Sequence, residues 1–388
     1  MLELIIKEES YGKRIALIEN GKLIEKYDEK NENNRNEENI YLGIVKDIIP
    51  GMQSAFVDIG TEKNSFIHLK DILPKMDEKQ EKRDEDVDIR SVIKRNDKIL
   101  VQVKKDSNNK KGARVSTHIS IPSKYIVFMP NAKFITISQK ITDEEERKRL
   151  LDIVKKSLPE NSGAIIRTSA INKTDEQLQE DIQVVIKAWN AITEKYNKIN
   201  DNNPHLIHKS ADIVEKILID LTDKKIDKII LDDKEEYEKL KEKNIQNLVL
   251  KTDENIFDVY ELEKQIEKTE NRKVWLNCGG FITIDKTEAL TAIDVNTGKF
   301  TGKNDLEDTI YKVNKEATIE IAKQLRLRDI GGIIIIDYID MRNQKNKEQI
   351  KGLLKEQLKN DRAKTQVEGF TKLNLMELTR KHICSNEE

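Results

Sequence analysis

Cysteine is nearly missing: 388 residues carry only Cys278 and Cys384. Two isolated cysteines make neither a disulfide framework nor a CxxC metal pair, so a stapled extracellular scaffold is excluded and a reducing, cytoplasmic setting fits. Long apolar runs are missing too. No stretch reaches the roughly 18 to 20 apolar residues needed to cross a bilayer; the best candidate, 330–336, is short and runs into Asp337. Residues 1–7 show no basic region leading into a long apolar segment, which predicts no signal peptide. Histidine is scarce, at five residues, and none joins a Cys or carboxylate cluster of the zinc or nucleophile kind. Neither charge dominates: 69 Lys+Arg face 71 Asp+Glu, a net charge of −2. That balance excludes a globally basic coat and leaves any polyanion binding to local segregation of charge.

Hydrophobic residues make up 37% of the chain, below the usual share of about 45 to 50%, yet they fall in ordered runs that can build a core. At roughly 100 to 200 residues per domain, the length suggests two or three domains. Short strands with Gly and Asn-Gly turns are predicted at 2–6, 14–18 and 22–26. The polar tract 28–39 reads as an exposed connection. Five further short strands follow at 40–48, 54–59, 65–69, 98–104 and 113–118, which suggests a small closed barrel of the OB type with a charged loop at 75–90.

Beyond residue 120 the period becomes helical. Thr142 with Glu145 and Thr174 with Gln177 read as capping boxes ahead of helices at 147–158 and 178–196, with a short β run at 164–168 between them. Residues 201–204 look like a linker, and Ser210 is predicted to cap a helix at 213–221. Strands at 228–231 and 246–250 alternate with charged helices, an α/β pattern. The last third predicts strands at 273–277, 280–285, 289–295 and 332–337, and helices at 306–328 and 347–364.

The strongest constellation for chemistry is a pair of apolar strands that each end in carboxylate. One closes on Asp294-Val295-Asn296 and the other on Asp337-Tyr338-Ile339-Asp340. Open α/β sheets place ligand sites at the carboxyl ends of strands. If the two strands are neighbours, Asp294 and Asp337 can share one Mg²⁺, with Asn296 on the same side to orient a water or phosphate oxygen. A competing reading takes 333–337 as a Walker B strand and 298–304 as a phosphate loop. The loop has three residues between its glycines where four are needed, and Asn304 stands where Ser or Thr would hold the metal. ATPase is therefore the minor reading, and 298–304 is better read as a basic loop beside the metal.

In the barrel, Phe56 and Phe66 sit on successive strands with Tyr41 and His68 near them, as stacking platforms for unpaired bases. Between 92 and 120, Lys94, Arg95, Lys98, Lys104, Lys105, Lys110, Lys111 and Arg114 outnumber Asp97 and Asp106, a local field suited to a nucleic-acid backbone. Arg167-Thr168 closes the lone middle strand, and a guanidinium fork beside a hydroxyl suits a terminal phosphate.

These residues resemble a known family. Residues 292–298, the run Gln324-Leu325-Arg326-Leu327-Arg328-Asp329-Ile330-Gly331-Gly332 and 337–341 are similar in order and spacing to the catalytic core of the ribonuclease E/G family. Residues 43–60 resemble its RNA-binding barrel, of the ribosomal protein S-one type, and 125–131 with 166–168 resemble its sensor for a 5′-monophosphate. The resemblance implies a multidomain α/β and α+β chain. Its parts would be an RNase H-like fold (1–38 and 211–271) around an OB-type barrel (39–119) and a 5′-sensor region (120–210), followed by a DNase I-like catalytic domain (272–388). It implies an endoribonuclease of RNA processing and decay that cuts single-stranded A/U-rich RNA, with a water activated by Mg²⁺ attacking the phosphodiester. Asp294 and Asp337 would hold the metal with Asn296 assisting; Phe56, Phe66, Lys105 and Lys111 would bind RNA; Val127, Arg167 and Thr168 would line the 5′-phosphate pocket. A non-catalytic RNA-binding member of the family is the alternative.

The departures shape further expectations. The family's sensor has Gly where this chain has Ser123, and Arg where it has Lys140 and Lys364, which loses the bidentate fork and predicts weaker discrimination of the 5′ end. The family continues into a zinc-binding CPxC motif and a small dimerising domain, whereas this sequence stops at Glu388 with Cys384 lacking a CxxC partner. Zinc and the usual tetramer are therefore not expected, and homo-oligomerisation is left open.

Overall fold

The computed structural model describes residues 1–30, 36–72, 87–107, 111–252, 255–298 and 306–383. All of the predicted basic loop 298–304 except Gly298, together with Lys110, most of the charged insert at 75–90 and Cys384, lies outside the described residues. The chain forms two compact units: one contains 1–31 and 224–388, and the other contains 32–223.

In the first unit, alternating apolar residues build the antiparallel strands Leu2–Glu9, Gly12–Glu19 and Lys22–Lys30. The first of these accepts Lys228–Leu231 as a parallel neighbour, and Leu248–Leu250 extends that sheet to five strands. A second sheet of six strands carries Lys273–Trp275, Phe281–Lys286, Leu290–Asn296, Gly332–Asp337, Leu375–Arg380 and Thr365–Phe370, in that spatial order. The pair 290–296 and 332–337 is parallel, linked by the helix Leu306–Leu327, as a crossover connection requires. Ile282, Ile284, Ile293, Val295, Ile334 and Ile336 pack on one face of this sheet with Val313, Ala317, Ile321 and Leu325 of that helix. Among the described residues the opposite face is left open, with Ala292, Asp294, Ile333 and Asp337 exposed.

One expected helix is corrected at both ends. The helix expected at 347–364 runs Gln344–Leu358, because Asn343 accepts a hydrogen bond from the Lys345 amide and starts it a turn earlier. The tail of that expected helix bends away instead: buried Asp361 is drawn into an ion pair with buried Arg380 at 2.8 Å, and Thr365–Phe370 pairs with Leu375–Arg380 as a hairpin.

The second unit holds a closed five-stranded barrel. Ile40–Ile49, Ser54–Asp58, Ser65–His68, Arg114–Ser116 and Lys98–Lys105 are hydrogen-bonded in that order, and 40–44 pairs back onto 98–102. The expected five-strand barrel is present, with His205–His208 added beside 40–42. Tyr41, read as lying near the stacking rings Phe56 and Phe66, is in the barrel core at 7% exposure. A four-stranded sheet follows, with Ile121–Pro122, Ile126–Met129, Gly163–Ile166 and Ile135–Ile137. The helices Glu144–Ser157 and Asp175–Asn197 contribute Leu150, Val154, Leu178, Ile182 and Val185 to a shared core. The Thr174–Gln177 capping box is reciprocal as expected. At 144, however, Asp143 and not Thr142 is the cap, and at 213 Asp212 and not Ser210, whose hydroxyl donates to the Glu37 carbonyl. In each case the residue immediately before the first helical turn has the reach to the free amides.

Candidate active site and RNA interface

Along Leu290–Asn296 the side chains alternate strictly. Thr291, Ile293 and Val295 point into the core, and Asp294 is left on the open face with Asn296 two residues on. The parallel neighbour places Asp337 directly across from Asp294. The two carboxylates therefore meet at the carboxyl ends of adjacent strands, where about 4.8 Å separates the backbones. Asn296 Nδ2 donates to Asp294 Oδ2 at 2.6 Å and holds that carboxylate's rotamer. Burial first, then the charges of Asp294 and Asp340, push the Asp337 carboxyl above its ordinary range. Like charges held together in this way are stabilised by a cation.

The donors are hard oxygens, which fits Mg²⁺ better than zinc. Among the described residues no group of three or more His, Cys, Asp or Glu converges on a metal-sized site. Two carboxylates with open space are the protein contribution expected for a cation that keeps several waters.

Residues that sequence reading did not single out hold this pair in place. Asn314, fully buried in the helix Leu306–Leu327, donates to the Ile339 carbonyl at 2.8 Å and accepts from the Ile339 amide at 3.1 Å. One turn later Thr318 bonds the Tyr338 hydroxyl at 2.9 Å. The helix thus pins the segment that follows Asp337. Glu307 accepts from the Arg342 and Asn343 amides, and Glu316 from those of Asn277 and Cys278. Gly298 closes the Asp294 strand with φ of +59°, and a Cβ there would stand 2.5 Å from the Gly279 carbonyl oxygen, so only glycine makes this exit without strain. The only sequence signal for Asn314 and Thr318 was a polar residue at helical spacing within an otherwise apolar face.

The motif 324–332 is structural here. Leu325 and Leu327 are core residues, Arg328 donates to Gln324 and to the Asn271 carbonyl, and Asp329 accepts from Arg380 and the Ile383 amide.

On the barrel, Phe56 stands across from Phe66, Phe66 across from Arg114, and Arg114 across from Lys105. This is one row of side chains over four strands. The two rings meet edge to face at 6.4 Å between centroids and 69° between planes, both half-exposed. Lys105 and Lys111 are exposed, and Arg114 is held by Asp71 at 2.9 Å. The aromatic pair and the cationic end of the row are thus contiguous, with Lys111 on the segment leading into it.

In the four-stranded sheet, Val127 lies across from Ile165, and the Arg167 amide donates to the Tyr125 carbonyl at 2.8 Å. Val127, Arg167 and Thr168 are all half-exposed, as a binding surface needs. The Arg167 guanidinium is engaged, donating to the Ser123 carbonyl at 3.1 Å and forming an ion pair with Asp220. Ser123 donates to Asp181 Oδ2 at 2.6 Å, and Asp181 also accepts from the Lys124 and Tyr125 amides. That buried carboxylate fixes the turn beneath Arg167.

Comparison with known proteins places the chain in a family. The model of the "Ribonuclease E/G family" matches residues 120–383. Ribonuclease G of Salmonella typhimurium is 38% identical, covering 99% of this chain and 82% of that protein. Ribonuclease G of Haemophilus influenzae is 39% identical over 98% of this chain and 79% of its own length. Ribonuclease E of Buchnera aphidicola is 34% identical over 96% of this chain and 39% of that longer protein. The chain belongs to the ribonuclease E/G family.

Proposed function

We propose that this chain is an endoribonuclease of RNA processing and decay that cuts single-stranded, A/U-rich RNA at the open face of the 273–380 sheet. The observation that carries the reading is the register of two parallel strands, which sets Asp294 opposite Asp337 with Asn296 bonded to the former. Asp294 and Asp337 would hold Mg²⁺, which supplies an activated water and neutralises charge on the phosphate when bound. Asn296 holds the Asp294 carboxylate through its side-chain hydrogen bond. Asn314 and Thr318 fix the segment behind Asp337, so the two carboxylates need little rearrangement on binding.

The remaining assignments follow the surfaces. Phe56 and Phe66 stack unpaired bases while Lys105, Lys111 and Arg114 neutralise backbone phosphates. Val127, Arg167 and Thr168 receive the 5′-phosphate, with Arg167 as its fork. Residues 1–38 and 211–271 correspond to the RNase H-like parts, 39–119 to the barrel, 120–210 to the sensor and 272–388 to the DNase I-like catalytic domain. The test is a fluorescent A/U-rich oligonucleotide with purified protein, with and without Mg²⁺. Internal cleavage that stops on chelation and returns with Mg²⁺ supports the reading. Tight binding with no cleavage in any divalent cation would favour the non-catalytic RNA binder instead.

A further inference from the structure

The open face that carries Asp294 and Asp337 continues onto two strands that the reaction described above leaves unused. Thr283 stands across from Asp294 and Phe281 across from Asn296; one strand further, Lys273 stands across from Thr283 and Trp275 across from Phe281. Two parallel rows therefore cross the sheet. One reads Lys273, Thr283, Asp294, Asp337, and the other Trp275, Phe281, Asn296. Trp275 is 59% exposed on a three-residue edge strand, where an indole gains little from burial. Its ring meets Phe281 edge to face, 5.3 Å between centroids and 61° between planes. The Lys273 ammonium lies 3.9 Å from the Trp275 ring centre and 3.5 Å from that of Phe281. The rings thus hold a cation in the same row as the carboxylates, as cation–π contacts do.

We propose that Trp275, Phe281 and Lys273 form a substrate subsite in which the indole stacks on an unpaired base of the RNA beside the cut and Lys273 pairs with the adjoining phosphate. The proposal rests on Asp294 and Asp337 being the cutting centre. Trp275 lies two strands from Asn296, about 10 Å across the sheet. That distance reaches a neighbouring nucleotide and not the scissile phosphate, so Trp275 is a positioning residue. The combination of an aromatic face and a cation is the one single strands use elsewhere.

The test uses the Trp189→Phe protein, in which Trp275 is the only indole. Adding a short single-stranded oligonucleotide should quench its emission, in proportion to binding. In the wild-type background, Trp275→Ala should raise KM about tenfold, within the range of one lost base stack, with kcat within about twofold, and Trp275→Phe should restore most of the loss. An unchanged KM in Trp275→Ala, in a protein whose cleavage is lost in Asp294→Asn, would overturn the subsite and leave the cutting centre standing. Emission that responds to protein concentration and not to RNA would overturn it as well, and assign the face to a second copy. Quenching by RNA in a protein that never cleaves would support the base platform and remove the cutting centre on which its position was argued.

Discussion

Replacing Asp220 should sharpen the response of this protein to the 5′ end of its RNA. Arg167 is the fork proposed for a terminal phosphate, and Asp220 occupies it in an ion pair whose side chains are 23% and 32% exposed. A phosphate must displace that carboxylate. Pairs this accessible to water are worth about 0.2 to 1 kcal/mol, and partial burial places this one toward the upper end. At 1.4 kcal/mol per tenfold, about 1 kcal/mol is roughly a fivefold change in affinity. Asp220→Asn keeps the shape and removes the competing charge. The ratio of kcat/KM for 5′-monophosphorylated over 5′-hydroxylated oligonucleotide should therefore rise by roughly three- to fivefold, with cleavage of the hydroxylated substrate little altered. Arg167→Ala should abolish the ratio in both backgrounds. An Asp220→Asn protein with an unchanged ratio would refute the competition argument. A lowered ratio would mean that Asp220 orients Arg167 for phosphate instead of blocking it.

On the barrel, Phe56→Ala or Phe66→Ala should weaken single-strand binding by about 1 to 3 kcal/mol, read by fluorescence anisotropy. Lys105→Ala should instead weaken all sequences alike and lower the slope of log K against log salt by a little under one. Asn314→Ala removes the partners of both the amide and the carbonyl of half-buried Ile339, which should cost about 1 to 3 kcal/mol in urea unfolding and lower kcat more than it raises KM. In the first unit, Arg14 hydrogen-bonds Glu263 and holds its carboxyl below the usual range. Stability from that pair is present above the unfolded carboxylate pKa of about 4.3 and is lost as pH falls through the lower folded value. Glu263→Gln should therefore flatten the acid limb of the stability curve, by less than about 1 kcal/mol because Glu263 is 42% exposed.

The pairing of Asp294 with Asp337 was legible because both of its determinants are local. An apolar run of strand length that closes on Asp specifies the strand, its face and its carboxyl end together, and 290–296 and 332–337 both carry that signature. The barrel was legible for the same reason, through short strands with Gly punctuation. Tyr41 went to the core because an aromatic residue in a strand announces itself without announcing its face. The caps at Asp143 and Asp212 compete with near neighbours of equal propensity, so position relative to the first turn decides between them. The hairpin 365–380 was hidden by its polar outer face, and its placement depends on Asp361 meeting Arg380, 19 residues away in sequence. Asn314 to Ile339 and Arg167 to Asp220 span 25 and 53 residues. Pairings at such separations leave no pattern in any window of the chain.

The central claim, that Asp294 and Asp337 act as one cation-holding pair in RNA cleavage, is tested most directly by a double-mutant cycle. Asp294→Asn, Asp337→Asn and the double variant are assayed with one A/U-rich oligonucleotide across a Mg²⁺ titration, with RNA binding measured in parallel. Each single variant should lose at least about a hundredfold in kcat, about 2.7 kcal/mol of transition-state stabilisation. The double variant should be scarcely worse than either single one, and all three should bind RNA as the wild type does. Independent, multiplying losses, or an Asp337→Asn protein that cleaves normally, would contradict the claim.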